Sequence, residues 1–162
     1  MAIYYPDGTN STTGRQVQVV MATDTTYRSA GEGANILAVQ CNITPKDNNN
    51  NVLVQAHFTA HGPAEDWIIK LERNGTTIGS SDNGTVNRNG LVGGSSRGGG
   101  WEMKNHSIVY LDSPGTTSTV TYAVYIRFNG GSGTIGVNRT QNSTGGDSDG
   151  TRAVMVLTEV AV

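Results

Sequence analysis

Lysine is nearly missing from this chain, with Lys46, Lys70 and Lys104 the full set, and leucine occurs six times in 162 residues. A helical protein would be rich in both, so the inventory argues against helices. Cysteine is reduced to Cys41, which rules out an intramolecular disulfide framework and suits folding in the cytosol. Long apolar runs are absent: "VLV", "WII" and "VMVL" are far too short to span a bilayer. The first ten residues, "MAIYYPDGTN", lack the basic and apolar regions of a secretion signal. A formal charge of −2 with scattered arginines gives no basic stripe, so nucleic acid is a poor partner and membrane insertion is not expected.

What is present is turn and strand material. Gly, Ser, Thr and Asn make up 69 of the 162 residues. Between them lie short segments with a period of two, which send alternate side chains to opposite faces of a sheet. The clearest is "LDSPGTTSTVTYAVYIRF" (111–128), where Val120, Tyr122, Val124, Ile126 and Phe128 alternate with Thr121, Ala123, Tyr125 and Arg127. "RQVQVVM" (15–21), "NILAVQCNI" (35–43), "VLVQAHFTA" (52–60) and "DWIIKLER" (66–73) read as earlier strands, with Asn74-Gly75 turning the chain into "TTIGS". Parity places Cys41 beside Leu37, Val39 and Ile43 as a buried, inert thiol, and Trp67 with Ile69 and Leu71 in a core. "WEMKNHSIVYLD" (101–112), "GTIGVNR" (133–139) and "TRAVMVLTEVAV" (151–162) supply further strands. The fold class expected is all-β, an antiparallel jelly-roll-like sandwich of about eight strands. Residues 1–14 read as a separate polar arm and 15–162 as the folded domain.

Little in the sequence carries chemistry. His57 and His61 lie in a strand-to-loop segment that gives them no shared fixed face, and with only His106 besides they make no zinc site. Asp147 and Asp149 in "GGDSDG" lack the further carboxylates of a calcium loop and are ordinary turn residues. Glu65, Asp66, Glu102 and Asp112 read as solvated strand-end charges rather than a catalytic pair. No catalytic residue, cofactor or metal ligand is assigned. "SSDNGTVNRNGLVGGSSRGGG" (80–100) is a long loop with "LVG" as one short strand, and Trp101 at its base reads as a core or interface ring, with ligand contact the alternative.

"NITPKDNNNNVLVQAHF" (42–58), "LERNGTTIG" (71–79), "YLDSPGTTSTVTYAVYIRF" (110–128), "TIGVNRTQN" (134–142) and "RAVMVLTEVAV" (152–162) form an ordered set. In it the chain resembles small all-β virion proteins and fibre-tip domains of tailed bacteriophages. The resemblance implies a jelly roll that associates as a homotrimer and has no enzymatic activity. Its expected place is the virion, as a capsid decoration or head-fibre protein held by the major capsid protein or another virion protein. The alternative is a receptor-binding tail-fibre tip that recognises a host surface glycan or protein. The chain shows no coiled-coil stem, which favours the former expectation. Tyr4, Tyr5 and Pro6 are then the attachment knob of the arm. Tyr125 and Arg127, outward on the 120–128 strand, are the subunit contact.

Overall fold

The computed structural model describes residues 3–4, 10–11, 14–62, 66–80, 92–95, 103–128, 133–139 and 150–162. β1 (Ile3–Tyr4) and β2 (Asn10–Ser11) pair only with each other. The remaining strands are β3 (Gln16–Asp24), β4 (Arg28–Ala30), β5 (Asn35–Ile43), β6 (Asn51–His61), β7 (Asp66–Arg73) and β8 (Thr76–Ile78). After them come β9 (Val92–Ser95), β10 (Lys104–Asp112), β11 (Val120–Phe128), β12 (Ile135–Val137) and β13 (Ala153–Val160).

They form two antiparallel sheets of six and five strands. In the first, β6 pairs with β10 along one side, and with β13 and then β12 along the other. β3 and β4 flank β13 and β12 in turn. This sheet is therefore four strands wide. The second has the same width: β5, β11, β7, and an edge shared by β8 and β9. Apart from the β7–β8 hairpin and the breaks within an edge or ladder, every connection passes from one sheet to the other. That alternation gives a jelly-roll-like sandwich. The hairpin turns at Asn74 (φ 50°) and Gly75 (φ 80°), the left-handed pair that a two-residue connection requires. Asn74 also accepts from the Thr121 N–H at 2.9 Å and donates its own N–H to the Thr121 carbonyl, joining the turn to β11.

The inner rows meet in one core. β11 buries Val120, Tyr122, Val124, Ile126 and Phe128, in the alternation its sequence predicts. Trp67, Ile69 and Leu71 join it from β7, with Val52, Val54, Ala56 and Phe58 opposite on β6. Cys41 is buried, and burial pushes its thiol pKa up, as an inert core thiol requires. β5 departs from simple alternation. Val124 pairs with Val39 and Tyr125 with Leu37, leaving Ala38 as an extra residue. This β-bulge reverses the parity, so Ile36 and Ala38 turn inward and Leu37 does not share the face of Cys41. The ladder begins before β3: Gly14 donates to the Ala161 carbonyl at 2.6 Å, and Ala161 donates to Arg15.

Candidate functional site

Two buried carboxylates inside the sandwich serve as structural latches. Glu159 is inward by parity with Ala153, Met155 and Leu157, and is fully buried. Its Oε1 accepts from the N–H groups of Lys46 (2.8 Å) and Asp47 (3.4 Å) and from Asn50 Nδ2 (2.6 Å). Its Oε2 accepts from Gln18 Nε2 at 2.5 Å. Burial alone would raise its pKa, but these donors outweigh burial and hold the carboxyl below its ordinary value. One carboxylate thus ties the 44–50 turn to β3 and β13.

A second latch crosses between the sheets. Tyr122 donates its hydroxyl to Asp112 Oδ2 at 2.6 Å, and Arg73 Nη1 reaches both Asp112 oxygens at 3.1 and 3.0 Å. Asp112 is buried, which corrects the expectation of a solvated strand-end charge. Tyr122 needs an acceptor in the core, and Asp112 supplies it. Burial, and then the bond to Asp112, push the tyrosine pKa far up.

The three histidines do not converge, and no group of metal-ligating side chains occurs among the described residues. His57 lies within β6 and His61 is its last residue, and their surroundings differ. His57 is exposed and bonded to Ser107 Oγ at 2.8 Å. His61 is buried, lies 6.2 Å from the Tyr27 ring, and has no partner for either nitrogen. His106 packs edge-on to Trp67 at 4.6 Å. Burial lowers the pKa of His61 and His106, leaving them neutral at pH 7. Nearby, Asn138 adopts φ 64° and donates its amide to the carbonyls of Thr26 and Ala38. It thereby bonds a carbonyl of the β5 bulge.

The two outer faces are unlike each other. On the five-stranded sheet, facing residues read Ile68–Arg127–Asn35, Lys70–Tyr125–Leu37 and Glu72–Ala123–Gln40. Tyr125 and Arg127 are half-buried there, beside charged neighbours. On the six-stranded sheet the rows are Leu111–Leu53–Thr158–Val19, Val109–Gln55–Val156–Met21 and Ser107–His57–Val154–Thr23. Met21, Val109, Leu111 and Val19 are 65%, 65%, 56% and 48% exposed. These rows contain no Asp, Glu, Lys or Arg. The sequence signal was legible: "SIVYL" is apolar in both parities, so its strand offers an apolar side chain to each face.

Tyr5, Pro6, Trp101, Asp147 and Asp149 lie outside the described residues, and Tyr4 is described only as a backbone position in β1. No family model matches the chain, and no curated protein sequence does. Among solved structures, it is similar to a chain in the structure of infectious bursal disease virus Gx strain. The two are 14% identical with a TM-score of 0.40, over 93% of this chain and 38% of that one. This chain thus spans under two-fifths of that protein's length.

Proposed function

We propose that this chain is a non-enzymatic structural protein of a bacteriophage virion, displayed on the particle as a capsid decoration or head-fibre protein. One observation carries the reading: the stretches that resemble such proteins are the ones that latch the sandwich. "NITPKDNNNN" supplies Lys46, Asp47 and Asn50, and "MVLTEV" supplies the Glu159 they hold. "LERNG" supplies Arg73, and "LDSPGTTSTVTY" supplies Asp112 and Tyr122. "VNR" supplies Asn138. The resemblance therefore falls on residues that fix how strands cross between sheets, where likeness reflects a shared architecture. A sandwich held by such latches suits a part exposed on a particle, and the buried carboxylates of Glu159 and Asp112 are occupied in holding structure.

The test is a copy count in particles of the phage that encodes the sequence, measured by quantitative gel against the major capsid protein. Tens to hundreds of copies support decoration. A dozen or two would move the protein to the tail tip. Absence from purified particles would overturn the virion role.

A further inference from the structure

The outer face of the six-stranded sheet is built to be covered. A fourth row, Asn51–Val160–Gln16, extends the three above, again without a charged side chain. Four strands and four rows span roughly 19 by 27 Å, a flat footprint on the order of 500 Å². Two such footprints total about 1,000 Å², the area a specific protein contact needs. Corrugation by side chains raises the accessible area above that figure.

Charge decides the occupant. An acidic or basic partner would bring ions that find no counter-charge on these rows, and desolvating them there is costly. An identical face brings none. Depletion of charge with apolar and methionine side chains at the centre is the composition of a subunit contact. The opposite face of the same sandwich carries Lys70, Glu72 and Arg127, as a face kept in water does. We propose that the outer face of the six-stranded sheet packs against the same face of a second copy of this chain, with Met21, Val109 and Leu111 as apolar anchors. This locates self-association on the face opposite to Tyr125 and Arg127, and it holds whether or not the protein is mounted on a virion.

Sedimentation velocity of the full chain across the micromolar range tests it. A face that packs on its own copy closes as a two-fold pair, so the parent sediments as a dimer of the 17.0 kDa chain. Met21→Lys and Val109→Lys, on opposite edges of the face, each weaken self-association at least about tenfold with circular dichroism and melting unchanged. Tyr125→Lys leaves the assembly as it is. If a lysine variant loses its fold, Met21→Ser and Val109→Thr make the same test at lower cost to the strand. A parent that stays monomeric overturns the proposal. So does an assembly that survives both face variants or dissolves with Tyr125→Lys. Incorporation into particles is scored separately, so a monomer that still enters virions sinks the face and leaves the virion reading intact.

Discussion

Removing the Glu159 carboxylate should unlock one end of the sandwich. Glu159→Ala strips acceptors from the Asn50 amide and from the N–H groups of Lys46 and Asp47, and leaves a void where a fully buried side chain stood. Each buried donor left unpaired costs ~1–3 kcal/mol, although the turn N–H groups lie near water and recover part of that. The total expected is about 3–5 kcal/mol, in the range found when one member of a buried charged network is deleted. At roughly 2–4 °C per kcal/mol for a domain of this size, the melting temperature should fall by about 6–20 °C. Glu159→Gln keeps the shape but removes the charge and sets an amide N–H against Gln18, so it should fall less.

The pH dependence separates this account from simple loss of packing. The folded pKa of Glu159 lies below its ordinary value of 4.5, so its contribution is complete above that value. It fades as pH falls through the folded pKa. The gap in melting temperature between the parent and Glu159→Gln should therefore be widest near neutrality and narrow in acid. Glu159→Ala melting within a degree or two of the parent at neutral pH would refute the reasoning. So would a parent-to-Gln gap that does not change with pH.

Two further outcomes are expected. Trp67→Ala should cost about 3–5 kcal/mol in a urea titration, because the ring is buried against the core and His106. A variant indistinguishable from the parent would put that ring at the surface. Gly136→Ala sets a Cβ against the Nε2 edge of the buried His61 ring, closer than van der Waals contact allows, and should destabilise by about 1–3 kcal/mol. Adding His61→Ala should restore part of the loss, and a double variant no better than the single would disprove the clash.

The strands were legible where one face is buried and the chain runs straight. β11 shows its inner row in the sequence because each of Val120 to Phe128 takes the place its parity assigns. β5 does not, because a bulge at Ala38 is a property of its pairing with β11 and leaves no local mark. β4 is too short to display a period. Glu159 had a visible signal, a carboxylate on the apolar parity of "AVMVLTEV", but its partners lie up to 141 residues away and no spacing rule reaches them. Asp112 was misread for the same reason: its acceptor role depends on Tyr122 and Arg73 arriving from the other sheet. The two unlike outer faces required the strand order itself, since a period of two tells inside from outside but not which strands lie side by side.

The place of β13 between β3 and β6 has a consequence for how the chain is made. During synthesis β3 and β6 emerge early, each with an edge unpaired until β13 arrives, and Glu159 comes with β13 to close the 44–50 turn. Pairings between strands this distant in sequence form slowly, because a large loop must close before any contact rewards it. Until β13 docks, the chain exposes two sheet edges and an apolar face, the conditions under which unfinished β-proteins stick to one another. A chain that lacks residues 153–160 is therefore expected to aggregate rather than to form a smaller sandwich.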